Sequence, residues 1–147
     1  GVPVYLSGVS MGGLIAFNVG LRRKHSVDGC ILMNPAFKDN PINNGFLKKL
    51  VMLGGMIFPK FQTMKPIRSH STKHSLQKYK AVDKLMYSGK VWTSTTWALL
   101  SHMRNISKQE HFKEFTLPFL CIQGGSDKIL NPFTVFELEK DSRSVDK

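Results

Sequence analysis

Gly8-Val9-Ser10-Met11-Gly12-Gly13 sets one serine among three glycines, and the flanking residues say how the backbone must enter and leave it. Upstream, Val2 to Leu6 is a short β-branched and aromatic run. It reads as a strand near Pro3 to Leu6 that turn chemistry at Ser7-Gly8 brings to a stop. Downstream, Leu14, Ile15, Phe17 and Leu21 fall at i, i+1, i+3 and i+7, which is helical spacing. Arg22, Arg23 and Lys24 gather where cations suit the C-terminal end of a helix dipole.

A strand, a sharp turn bearing a serine and a helix that starts at once form the setting of a Gly-x-Ser-x-Gly nucleophile elbow, here Gly8-Val9-Ser10-Met11-Gly12. In so tight a turn the strand end and the helix start nearly touch. Side chains two positions either side of the serine are therefore expected to collide, which asks for glycine, while Ser10 is held exposed in strained dihedrals. The free amides of the helix start lie below it, so the Met11 N–H is placed to stabilise an oxyanion when Ser10 attacks a carbonyl. Other glycine-rich loops do not fit. No Gly-Lys-Ser/Thr follows for a P-loop, and no Gly-x-Gly-x-x-Gly is present for a dinucleotide.

A serine hydroxyl needs a histidine base and a carboxylate to orient it, and behind an elbow these follow in the order Ser, acid, His. Leu117 to Ile122 is an apolar run of the buried parallel-strand kind, ending in Gln123-Gly124-Gly125-Ser126-Asp127. Asp127 thus falls just past the carboxyl end of a strand, where open α/β sheets place functional side chains. A Gly-Ser-Asp stretch serves equally well as an Asx-type turn or the N-cap of a helix near Pro132 to Glu139, so both readings stand. Asp28 precedes the strand Gly29 to Met33, at the wrong end of the sheet, and reads as a turn. Asp39, Asp83, Glu110 and Glu114 lie in the intervening segment.

Taken in chain order, the elbow, Asn34-Pro35-Ala36, Lys84-Leu85-Met86-Tyr87-Ser88-Gly89 and Pro118 to Asp127 resemble the monoglyceride lipases. Those are α/β-hydrolases that cleave monoacylglycerols and related lysolipids to fatty acid and alcohol. The resemblance implies a partial α/β-hydrolase fold in which parallel strands carry a helical cap insertion. It also implies Ser10 as nucleophile, Asp127 as triad acid and the Met11 amide as one oxyanion donor; no residue pattern asks for a cofactor. The expected organisation is core over residues 1–37, a basic helical cap over 38–110 and core again over 111–147.

The chain departs from the pattern in its histidines. His25, His70, His74, His102 and His111 all precede Asp127, and the His-Gly loop that supplies a second oxyanion amide is not found ahead of the elbow. The base is therefore expected beyond Lys147, these 147 residues are expected to be a piece of a longer protein, and alone they are expected to be inactive. Two other classes stay open: a non-catalytic ligand-binding or interaction module on a degenerate hydrolase fold, and a peptidase of the same fold.

Charge is concentrated in the expected cap, where residues 38 to 110 hold thirteen Lys and Arg against Asp39, Asp83 and Glu110, +10 of the chain's +11. No nucleic-acid motif accompanies it, and its aromatics do not alternate with cations as stacking platforms do, so nucleic acid is set aside. Phe46, Leu47, Leu50, Val51, Leu53, Met56, Ile57 and Phe58 fall mostly at helical spacing beside Lys48, Lys49 and Lys60. Such a helix either lies on an anionic membrane to meet lipid or buries its face on the domain, with Gly54-Gly55 allowing a kink. A location in the cytoplasm or at a membrane surface is expected. His70 and His74 have i, i+4 spacing but no acid nearby, so no metal site is expected. Trp92 and Trp97, with Leu99, Leu100 and Met103, read as a cap helix packing on the core. Cys30 and Cys121 fall inside strands and read as reduced core residues.

Overall fold

The computed structural model describes residues 1–40, 53–64 and 89–147. Its elements run β1 (Tyr5–Val9), α1 (Met11–Arg22), β2 (Gly29–Met33), β3 (Gln62–Met64), β4 (Val91–Trp92), α2 (Thr93–Ile106), α3 (Gln109–Glu114), β5 (Phe119–Ile122) and α4 (Thr134–Asp141). They divide into two compact units, Gly1–Gly45 with Leu99–Lys147, and Phe46–Ala98.

The first unit is built on a parallel sheet of order β1-β2-β5, with Leu6 opposite Cys30 and Cys30 opposite Phe119. Because side chains alternate along a strand, this register gathers Leu6, Cys30, Leu32, Phe119 and Cys121 on one face. Cys30, Leu32 and Phe119 are buried there, and α1 packs on β1 and β2 through Leu14, Ala16 and Phe17. Phe17 then organises an aromatic core: its ring lies 5.0 Å from Phe37, 5.7 Å from Phe112 and 4.5 Å from Phe115, edge-on to the first two and stacked on the third. Such pairs add about 0.5–1.5 kcal/mol each beyond the area they bury. The opposite face presents Tyr5, Val9, Leu120 and Ile122, all more than half exposed among the described residues.

β1 differs from the expectation at both ends. It begins at Tyr5 and runs through Ser7 and Gly8 to Val9, because those residues pair in register with Ile31, Leu32 and Met33. Ladder bonds to a neighbouring strand outweigh the local turn preference of Ser-Gly, and the turn falls at Ser10 instead. Asp28 does serve the strand starts, its Oδ2 accepting the Val4 N–H at 2.6 Å. Both cysteines are free thiols, Cys30 buried and Cys121 half-buried.

In the second unit, β3 and β4 pair antiparallel, and a helical segment at 53–57 leads into the turn at Pro59-Lys60. Thr93 closes this turn, its N–H bonding the Phe61 carbonyl at 2.9 Å and its Oγ1 bonding the Phe58 carbonyl. Gly55 marks a close approach: a Cβ there would come within 2.7 Å of the Trp97 Cβ and 2.9 Å of the Thr93 carbonyl oxygen. Trp92 belongs to β4 and not to a helix, correcting the sequence expectation, and pairing with Gln62 is what extends its backbone. The stretches 41–52 and 65–88, with His70, His74 and most of the expected amphipathic helix, lie outside the described residues. No helix among the described residues is long and apolar enough to cross a membrane.

Candidate active site

Ser10 stands between the last residue of β1 and the first of α1, with φ 53 and ψ −116. A positive φ on a serine stores about 1–3 kcal/mol of strain, which persists only where neighbours over-determine it. They do so here. The Ser10 N–H bonds the Met33 carbonyl at 2.9 Å, and the Ser10 carbonyl accepts from Leu14 at 3.1 Å and from Ala36 at 3.0 Å. Ser10 and Met11 are exposed. The Leu14 bond is the first that α1 makes to Ser10, so the N–H groups of Met11, Gly12 and Gly13 stand ahead of the helix ladder, pointing from its positive end.

The glycines divide the steric demand differently from the expectation. A Cβ on Gly8 would sit 2.2 Å from the Gly12 carbonyl oxygen and 2.7 Å from the Gly13 nitrogen, so that position admits only glycine. At Gly12 a Cβ would meet nothing within 4 Å among the described residues, and the collision expected there is not found. The helix turns Gly13 inward instead, where a Cβ would press at 3.1 Å on the Gly8 carbonyl oxygen and on Pro35.

Asp127 lies past the end of β5, half-buried. Its Oδ1 accepts the N–H groups of Ile129 at 2.8 Å and Leu130 at 3.0 Å, the Asx-type turn weighed from sequence. No bond engages Oδ2 among the described residues, so the turn reading and the role of orienting a base are compatible: one oxygen serves each. The Asp127 loop is tied to the segment that follows β2. Asn40 Nδ2 donates to the Asp127 carbonyl at 3.1 Å, Asn40 N–H to Ile129 at 2.9 Å and Asn131 N–H to Lys38 at 2.9 Å, and Lys38 pairs with Glu137 of α4. The parallel register β1-β2-β5 thus brings Ser10 and Asp127 to the same edge of the sheet.

The residue that sequence reasoning did not single out is Asn34, at the carboxyl end of the central strand. It has φ 42, its N–H bonds the Ile122 carbonyl at 2.7 Å, and its Oδ1 accepts the Gly124 N–H at 2.7 Å. An Asn placed directly after a strand is a residue type enriched at positive φ, and that was the available signal.

No described histidine bonds Ser10 or Asp127. His25 follows the far end of α1, about 18 Å along the helix axis from the elbow. His102 and His111 belong to α2 and α3. No group of three or more metal-ligating side chains occurs among the described residues.

The profile of the Hydrolase_4 family, described as serine aminopeptidase S33, matches residues 1–147. The chain belongs to that family. The monoglyceride lipase of Mus musculus is 29% identical over 150 residues, covering 99% of this chain and 48% of its own length. That of Rattus norvegicus is 29% identical over 149 residues with the same coverage. The chain therefore spans about half the length of the curated relatives it matches. Among solved structures, the monoacylglycerol lipase of Paleococcus ferrophilus superposes with a TM-score of 0.84 at 20% identity, covering 99% of this chain and 56% of that one. A soluble variant of the Saccharomyces cerevisiae monoglyceride lipase, in complex with a substrate analogue, gives 0.82 at 19%, covering 100% and 52%. These likenesses establish the α/β-hydrolase fold, in the partial form expected from the sequence.

Proposed function

We propose that Ser10 is the nucleophile of a serine hydrolase acting on carboxylic esters of lipids, monoacylglycerol or lysolipid, with fatty acid and alcohol as products. The observation behind this reading is the backbone of Ser10, a strained serine at the head of a helix, held from both sides by hydrogen bonds and exposed. In this scheme a histidine oriented by Asp127 takes the hydroxyl proton as Oγ attacks the ester carbonyl. The Met11 N–H, aimed from the helix start, stabilises the tetrahedral oxyanion. Collapse expels the alcohol, protonated by the histidine, and leaves an acyl-enzyme on Ser10 that water then hydrolyses. The substrate class is supported by the relatives, which are named monoglyceride lipases.

A fluorophosphonate probe on the full-length chain tests the nucleophile: labelling is expected at Ser10 and lost in Ser10→Ala, and labelling that survives the substitution would refute the assignment. Residues 1–147 expressed alone, in which no described histidine meets Ser10, are expected to show no Ser10-dependent hydrolysis of a short nitrophenyl ester. The family description favours a second reading, a peptidase at the same serine. Turnover of matched ester and amide substrates separates the two.

Substrate of this kind resides at membrane surfaces, and the second unit suits contact with them. Phe46–Ala98 holds ten Lys and Arg against Asp83 alone, +9 of the chain's +11. Leu53, Met56 and Ile57, at i, i+3 and i+4, and the following Phe58 are each more than half exposed. We propose that this unit makes peripheral contact with anionic bilayers. Binding should be stronger to anionic than to neutral vesicles and weaken with salt; equal binding to both would exclude it.

A further inference from the structure

Asn34 occupies a position that nothing in the Ser-His-Asp scheme assigns, yet bonds from its turn reach both halves of the candidate site. On one side, Asn34-Pro35-Ala36 presses on the elbow: the Ala36 N–H bonds the Ser10 carbonyl at 3.0 Å, the Met33 carbonyl just before the turn accepts the Ser10 N–H at 2.9 Å, and Pro35 is the surface that a Cβ on Gly13 would strike at 3.1 Å. On the other side, Asn34 bonds the end of β5 through its N–H and the Gly124 N–H through Oδ1. Gly124 in turn opens the tight turn that ends on Asp127, whose N–H bonds the Gly124 carbonyl at 3.2 Å. Asn40 Nδ2 donates to the Asp127 carbonyl. The acid's turn is thus fastened at two points, and the one made by the turn that also bonds Ser10 is the Asn34 side chain.

We infer that Asn34 is a positioning residue that sets the spacing between the nucleophile and the acid, by locking the Gly124–Asp127 turn to the same short segment that braces Ser10. The inference rests on the hydrolase reading above. Its chemical logic is that the elbow is rigid through sterics, whereas the acid's turn is held by two side-chain bonds, of which the Asn34 one comes from the turn that braces the elbow. Releasing that bond lets the carboxylate drift while leaving the serine in place, and a displacement near 1 Å costs about a hundredfold in rate. Asn meets both demands of the position, since its side chain accepts a hydrogen bond and it tolerates positive φ better than other non-glycine residues.

The test uses the full-length chain with Asn34→Gly and Asn34→Asp. Glycine keeps the positive φ and the N–H bond to the Ile122 carbonyl and deletes the side chain that carries Oδ1; aspartate keeps an oxygen for the Gly124 N–H. In Asn34→Gly the Gly124 amide is expected to exchange with solvent about tenfold faster, a loss of roughly 1.4 kcal/mol of protection. The kcat for ester hydrolysis is expected to fall between about tenfold and a hundredfold, with KM within about twofold, as for an interaction that matters in the transition state. Asn34→Asp should recover the exchange protection and most of kcat. Unchanged Gly124 exchange in Asn34→Gly would refute the lock. Faster exchange with unchanged kcat, or kcat and KM worsening together without rescue by aspartate, would refute the positioning role. A wild-type chain that neither turns over esters nor takes the fluorophosphonate would refute the hydrolase reading separately, with Gly124 exchange still deciding whether Asn34 holds the turn.

Discussion

Ser10 and Asp127 sit at the same edge of one sheet, yet they are held there by different physics. At the elbow the constraint is steric: a serine at φ 53 is trapped because Gly8 and the start of α1 approach to a distance no Cβ can enter. At the acid's turn the constraint is a set of hydrogen bonds, two into Oδ1, one from Asn40 to the Asp127 carbonyl and one from the Gly124 N–H to Asn34 Oδ1. A steric lock is all-or-none, while a hydrogen-bonded one loosens by about 1 kcal/mol at a time. The elbow should therefore fail abruptly under substitution and the acid's turn gradually.

The largest effect is expected at Gly8. A methyl there overlaps backbone atoms at 2.2–2.3 Å, and backbone cannot swing aside, so Gly8→Ala should destabilise the fold by about 4 kcal/mol or more. Gly12→Ala, with open space around the new methyl, should shift stability by less than about 1 kcal/mol and serves as the control in the same motif. Denaturant melts of the two variants compare them directly. Similar losses would mean that the elbow is held by something other than the Gly8 contact.

Asp127 should show the graded behaviour. Asp127→Ala removes the acceptor for two backbone N–H groups and is expected to cost about 1–3 kcal/mol. Asp127→Asn keeps an oxygen for them and should lose less than about 1 kcal/mol of stability, while ester turnover drops by roughly four orders of magnitude if the carboxylate orients a histidine. Stability and turnover falling in parallel across the two variants would leave Asp127 with its turn-forming role alone.

Ser10→Gly should act in the opposite direction on stability. Glycine enters positive φ without a Cβ penalty, so relief of strain, less the added chain entropy, leaves a gain of about 1 kcal/mol as fluorophosphonate labelling disappears. A variant no more stable than wild type would show that the Ser10 backbone is not strained.

The same contrast explains what the sequence made legible. Steric necessity leaves a chemical trace, because only glycine satisfies it, so the elbow and its strand-to-helix setting could be read from Gly8 to Gly13. The assignment of crowding to Gly12 missed because the direction in which a helix turns its second and third residues is set by packing against Pro35, which lies more than twenty positions away. Hydrogen-bonded placement leaves a fainter trace. Many residue types can supply an acceptor, so Asp127 remained both turn and acid on paper, and Asn34 stood as one letter of Asn34-Pro35-Ala36 until β5 was placed beside β2. The end of β1 was misread for the related reason that Ser7-Gly8 has local turn chemistry, and only the ladder to β2 overrules it.

The smallest expected effect concerns the sheet beneath both regions, and it tests whether they share one dry floor. Cys30 lies on the elbow side, its Sγ 3.8 Å from the Ala16 carbonyl of α1, and Cys121 lies on the strand that leads to Asp127. Burial pushes both thiols up from 9.0 to about 11. A thiol with a higher pKa folded than unfolded holds its proton more firmly in the folded chain. The stability this contributes is complete below pH 9 and is lost as pH rises from 9 through 11. The urea midpoint should therefore fall across that window, and less steeply when Cys30 and Cys121 are both replaced by alanine. The single variants then weigh the two regions. The two shifts are alike, so Cys30→Ala and Cys121→Ala should flatten the slope equally, whereas Cys30 is 2% exposed and Cys121 is more open, so iodoacetamide at pH 8 should modify Cys121 first. Equal alkylation would mean that β5 is sealed as tightly as the strands beneath the elbow. The softer hold on Asp127 would then be confined to the turn that follows β5, which is where the Asn34 and Asn40 bonds are made.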